Sequence, residues 1–147
     1  MREVSGDLWE YLGKGVVAIT TNGYVTRDGR AVLGHGVARQ AGERFPHLAS
    51  ELGEAIRTGE NHVHPLSNGL VSFPVEDSPW SLPDLQLIGR SARELRELAD
   101  RRQWPLVVVP RPGCGGGGLS WRDVKPLLAG YFDGRFHVIT AGPGERT

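Results

Sequence analysis

Four short apolar runs, separated by stretches of helical periodicity, constrain this chain most. Val16-Val17-Ala18-Ile19-Thr20-Thr21, Leu70-Val71-Ser72-Phe73, Leu106-Val107-Val108-Val109 and Phe136-His137-Val138-Ile139-Thr140 are continuous, not alternating. A strand that is apolar on both sides needs cover on both sides, as in a parallel sheet between helices. Between the runs, Val37, Ala41 and Phe45 recur at i, i+4, i+8. Leu48, Leu52 and Ile56 do the same, and Gly59 is a natural stop. The longest helix reads from Pro83 to about Arg102, with Leu85, Ile88, Ala92, Leu95 and Ala99 on one stripe. A last helix is expected near 124–131, regular only from about Lys125. Ser120 and Asp123 resemble a capping box there, but Pro126 removes an N–H and crowds the preceding turn. The alternation predicts an α/β fold with a mostly parallel sheet, one domain over 1–141, and a frayed tail over 142–147.

Composition narrows the function classes. The chain has 147 residues and balances 17 Lys+Arg against 17 Asp+Glu, which argues against a broad basic surface for duplex nucleic acid. The single cysteine, Cys114, rules out an internal disulfide framework and suits a reducing, cytoplasmic setting. No apolar run nears the roughly 18 residues of a membrane span, and residues 1–7 lack the apolar stretch of a signal peptide. A monomer without membrane attachment is expected.

Glycine is the outlier, with 21 residues gathered at the ends of apolar runs. In such folds ligands sit outside the carboxyl ends of the strands. After the third run comes Pro110-Arg111-Pro112-Gly113-Cys114-Gly115-Gly116-Gly117-Gly118-Leu119, leading into a helix. Unhindered amides there can form an anion nest; the bland alternative is a floppy connection. A second glycine loop, Leu33-Gly34-His35-Gly36-Val37-Ala38-Arg39, also opens a helix. It is neither the dinucleotide fingerprint, because Arg39 replaces the third glycine, nor a phosphate loop of the Gly-Lys-Ser/Thr type. Two glycine loops without a lysine clamp point to a diphosphate held by backbone.

Other candidates are single residues. Asn22 ends a strand and can hold a sugar hydroxyl or a water, or simply form a turn with Gly23. Asp7 can cap a helix or accept from an adenine amine. His35, between two glycines, is the histidine with a functional placement, whereas His62-x-His64 lacks a third ligand, so no metal and no cofactor are expected. Cys114 sits in the nest, where amide dipoles favour a thiolate, but no base pairs with it. Trp80, Trp104 and Trp121 read as core or rim packing.

The ordered set Val4-Ser5-Gly6-Asp7-Leu8, the strand ending in Asn22, Gly34-His35-Gly36-Val37-Ala38 with Phe45-Pro46, Phe73-Pro74, and Arg111-Pro112-Gly113-Cys114-Gly115 through Leu119-Ser120-Trp121 resembles a macrodomain. The branch it is most similar to contains the terminal ADP-ribose protein glycohydrolase and the DNA ADP-ribose glycohydrolase antitoxins. The resemblance implies a three-layer α/β/α sandwich with a mixed, mostly parallel sheet that binds ADP-ribose. By it, Asp7 would accept from the adenine amine, Leu8 would add a backbone contact, and Asn22 would face the distal ribose. Gly34 to Ala38 and Gly113 to Leu119, with Pro74 beside them, would grip the diphosphate and that ribose. The branch's nucleophilic lysine, in a Thr-Lys pair after Phe-Pro, is matched here by Glu76 after Val75, and its loop aspartate by Gly117. A lysine mechanism is therefore not expected. The longer segment 24–32 brings Arg27, Asp28 and Arg30, which could fold over the ligand.

Two functions follow as expectations, with an unrelated nucleotide-binding protein as the third. One is a module that binds ADP-ribose, free or on a protein or nucleic acid. The other is an ADP-ribosyl hydrolase, on a macromolecule or ADP-ribose 1″-phosphate, with Asn22 orienting a water and Asp28, His35, Glu76 or Asp77 as base.

Overall fold

The structure, a computed structural model, describes residues 1–141. The expected frayed tail at 142–147 lies outside them. Five strands, β1 (Arg2–Ser5), β2 (Val16–Asn22), β3 (Leu70–Glu76), β4 (Val107–Pro110) and β5 (Phe136–Thr140), form one sheet in the order β1-β5-β4-β2-β3. Every pairing of these strands is parallel, where the sequence left room for a mixed sheet. Four α-helices accompany them: α1 (Gly36–Arg44), α2 (Leu48–Gly59), α3 (Leu85–Arg102) and α4 (Trp121–Ala129).

Alternate residues of each strand feed opposite cores, which is why the runs are apolar throughout. Ala18, Val71, Phe73, Val107 and Val109 pack with Ile88, Leu95, Val124 and Leu128 of α3 and α4. Val17, Ile19, Leu70 and Val108 pack with Val37, Ala41 and Leu48 of α1 and α2, and with Leu8 and Trp9 of a short 3-10 turn. The result is a three-layer α/β/α sandwich.

One strand and one helix boundary escaped the sequence reading. Strand β1 is a largely exposed edge whose sequence, Arg-Glu-Val-Ser, carries one apolar residue; pairing with β5 makes it a strand. Helix α4 begins at Trp121, four residues before the expected regular start. Ser120 caps it by accepting from the Arg122 amide at 3.2 Å, and burial of Val124 and Leu128 outweighs the hydrogen bond lost at Pro126. Pro74 is tolerated because β3 is an edge of the sheet.

Candidate functional site

Parallel strands put all their carboxyl ends on one rim, and there a cleft of about 440 Å³ opens. Its floor comes from the ends of β2, β3, β4 and β5, and its walls are loops 34–38 and 113–119. Both glycine loops thus meet at one cavity.

Loop 34–38 ends as the N-terminus of α1. Gly36 has φ 62 with open space around a would-be side chain, a backbone state that suits glycine. His35 occupies the N-cap position but makes no side-chain cap, so the first amides of α1 lack that partner. Arg39 is the first residue here to donate back, to the His35 carbonyl at 3.4 Å. The amides before it, at the positive end of the helix dipole, are suited to an anion.

Loop 113–119 is partly self-satisfied. The amides of Cys114, Gly118 and Leu119 donate to Arg111 (3.3 Å), Gly115 (3.3 Å) and Gly113 (2.9 Å). Those of Gly115, Gly116 and Gly117 donate to no acceptor among the described residues. All three residues line the cleft. At Gly117 a Cβ would lie 2.7 Å from the Gly113 carbonyl oxygen and 2.7 Å from Pro83. The loop is folded for glycine at that position, and an aspartate there would force it to rebuild.

Asn22, His35 and Glu76 also line the cleft. Asn22 is buried and bonded at both ends of its amide: Nδ2 donates to the Val32 carbonyl at 3.1 Å, and Oδ1 accepts from the Tyr24 amide at 2.9 Å. Glu76 is buried as the last residue of β3, and burial pushes its carboxyl above the usual range, opposed by nearby His35. The β2–β3 register shifts between Thr21 and Asn22, so Asn22 pairs with Glu76. Burial likewise raises the Cys114 thiol, against Arg111. That is the reverse of the thiolate the nest suggested.

Six expected residues do not line the cleft: Asp7, Leu8, Asp28, Pro74, Asp77 and Gly118. Asp7 caps the 3-10 turn through the Trp9 amide at 3.0 Å, and Leu8 is core. The Gly6 amide donates to the Thr140 carbonyl at 2.9 Å, which keeps Asp7 near the rim. Asp28 is spent in its own hairpin, accepting from the Thr26 hydroxyl, so it does not fold over the cleft. The Pro74 carbonyl accepts from the Ser91 hydroxyl at 2.7 Å, beneath the site.

Sequence reasoning missed Thr21, Arg111, Trp121 and the end of β5, 139–141, all of which line the cleft. Applying the strand-end rule to all four runs would have found the last. The Thr21 hydroxyl and Arg111 Nε are buried without partners. Arg111 stacks 4.6 Å over Trp121, whose indole N–H donates to Glu3 at 2.9 Å, and Lys125 pairs with the same carboxylate at 2.7 Å. His62 is committed to Glu94 at 2.7 Å and His64 to the Glu60 carbonyl at 2.8 Å. No group of three metal-ligating side chains occurs among the described residues.

The same arrangement of sheet, helices and rim occurs in solved structures. The macrodomain of Thermus aquaticus DarG superposes with a TM-score of 0.76 at 21% identity, covering 97% of each chain. The chain adopts the macrodomain fold. Thermosipho africanus DarTG, solved in complex with ADP-ribose, matches with a TM-score of 0.75 at 19% identity, over 100% of this chain and 43% of that one. In sequence, the chain is 27% identical over 112 residues to the DNA ADP-ribosyl glycohydrolases of Mycobacterium bovis and Mycobacterium tuberculosis, covering 69% of this chain. It spans about a third of those relatives, 32% of their length. No family model matches.

Proposed function

We propose that this macrodomain binds ADP-ribose, free or attached to a macromolecule. The observation that carries the reading is the convergence of two amide-rich loops on one cleft. The α1 N-terminus lines one wall, and Gly115, Gly116 and Gly117, whose amides donate to no acceptor among the described residues, line the other. Such a pair holds a diphosphate without a lysine or a metal. The Thr21 hydroxyl and Arg111 Nε, orphaned in the protein alone, gain partners from a polar ligand. The Thermosipho africanus homologue of this fold was solved with ADP-ribose, which supports the same ligand here. Asp7 reaches the adenine from the neighbouring rim, and Asn22 and Glu76 take the distal ribose. Calorimetry with ADP-ribose tests this: saturable binding at micromolar ligand is expected, and no heat at high micromolar concentration removes the reading.

Glu76 supports a second reading, hydrolysis of the bond between the distal ribose and its carrier. The names of the curated relatives point the same way. In that reaction the C1″–carrier bond breaks, water supplies the hydroxyl that C1″ gains, and the carrier leaves with a proton. Glu76 is the base that takes the water's proton, with His35 beside it. Its raised carboxyl sets the sign: the rate falls as pH drops through a value above 4.5, because protonated Glu76 cannot take the water's proton. Release of ADP-ribose from modified DNA by the wild type, at background in Glu76→Gln, is the expected result. Background release by both assigns the site to binding alone, and equal rates above background remove Glu76 as the base.

A further inference from the structure

Helix α3 reaches the cleft through a segment that does not line it. Strand β3 is an edge of the sheet, and residues 61–66 run along its open side. The Leu66 amide donates to the Leu70 carbonyl at 2.9 Å, and the Ser72 amide to the His64 carbonyl at 3.0 Å. The buried Ser72 hydroxyl donates to the His62 carbonyl at 3.2 Å and accepts from the His64 amide at 2.9 Å. Pro74 has no amide to offer, and Ser91 of α3 takes its carbonyl. These bonds cover the edge with backbone and small hydroxyls.

The last rung is made by a longer side chain. Asn61 Nδ2 donates to the Glu76 carbonyl at 3.2 Å. The same side chain lies against Gly23, where a Cβ would meet Asn61 Cγ at 2.6 Å and Nδ2 at 2.7 Å. The Gly23 amide in turn donates to the Asp77 carbonyl at 3.1 Å. Asn61 therefore touches both strand ends at the point where Asn22 pairs with Glu76 across the register shift. Helix α3 holds it from behind. Arg90 Nη2 donates to the Asn61 carbonyl. Glu94, one turn on, accepts from the Val63 amide at 3.0 Å, and lies 2.7 Å from His62 Nδ1 and 3.5 Å from Arg90 Nε.

We propose that Asn61 is a positioning residue for the cleft: clamped by Arg90 and Glu94, it fixes the end of β3 against the Asn22–Gly23 turn and so sets where the Glu76 carboxyl stands. A segment that only covered the edge would need neither the fit onto Gly23 nor an arginine ordered onto its carbonyl, which costs side-chain entropy. A base holds its geometry only when the groups behind it are themselves held. This role rests on the reading of Glu76 as the base beside the distal ribose, and extends it to a residue that does not line the cleft.

Carbon-13 NMR titration of glutamate-labelled protein tests the clamp without any substrate, with the Glu76 signal assigned by its loss in Glu76→Gln. Asn61→Ala opens the strand ends to water and should move the Glu76 midpoint down, toward the usual carboxylate range. Ser67→Ala removes a 2.9 Å bond from the same loop to Glu51, away from the cleft, and should leave the Glu76 titration where it was. In release of ADP-ribose from modified DNA, Asn61→Ala should lower kcat by roughly tenfold to a hundredfold with KM nearly unchanged. The acid limb of its rate should shift to lower pH with the midpoint. A folded Asn61→Ala whose Glu76 titrates as in wild type overturns the proposal, and so does an equal shift in Ser67→Ala. Should Asn61→Ala not fold, Arg90→Gln, which frees the Asn61 carbonyl and keeps its side chain, decides by the same titration. Background release by wild type removes the hydrolysis reading, and the Glu76 titration still decides the clamp.

Discussion

Glu76 sits where the strand's burial and the cleft's polarity compete. Its carboxyl is held above 4.5 by burial, so the fold favours the protonated form. The linkage has a definite sign. A carboxyl raised in the fold adds stability below its unfolded value, and that contribution is lost as pH rises through its folded value. Above its folded value, wild type therefore carries a desolvated charge that glutamine would not. The stabilising effect of Glu76→Gln on the thermal midpoint is expected to be larger at alkaline pH than near pH 4; equal effects at both would refute the burial argument. Gly117 makes the opposite demand, for absence of a side chain. Gly117→Ala places a Cβ 2.7 Å from the Gly113 carbonyl, which should cost about 1–3 kcal/mol in denaturant unfolding and weaken ADP-ribose in calorimetry.

Among the elements, the hairpin and α2 depend on one close approach. A Cβ on Gly53 would lie 2.1 Å from the Gly29 carbonyl oxygen, and the Ala31 amide donates to the Ala49 carbonyl at 2.8 Å. Gly53→Ala should lift the hairpin off the helix. Limited proteolysis is expected to cut near Arg27 and Arg30 faster in the variant, and cleavage at the wild-type rate would count against this docking. Helix α3 is set more conventionally: Asp84 caps it by accepting from the Gln86 amide at 2.8 Å, and Asp84→Ala should cost about 1 kcal/mol in urea unfolding. Caps and apolar stripes were readable because they are local. The early start of α4 was not, since Pro126 argues locally against it and the buried Val124 and Leu128 argue for it only once the sheet exists.

For the whole molecule, the sheet divides two cores, and the larger one supports the rim. Ile88 and Leu95 are fully buried against β3 and β4, and Ile88 Cδ1 lies 3.2 Å from a would-be Cβ on Gly113. Leu95→Ala should cost about 2–5 kcal/mol in denaturant unfolding, and leave ADP-ribose affinity intact in the folded fraction.

The order of apolar runs and helical stripes determined, by local pattern alone, an α/β chain with a doubly covered sheet. Glycine placement at strand ends marked both walls of the cleft for the same reason: freedom of the backbone is written in single residues. Tertiary structure decided what depends on pairing. It made β1 a strand through β5, brought 139–141 to the site, and turned Asp28 away into its own hairpin. Burial, which no residue carries by itself, separated Glu76 from Asp77 and lifted its carboxyl. It left Trp80 exposed beside Tyr24, a neighbour 56 positions away that only the fold supplies.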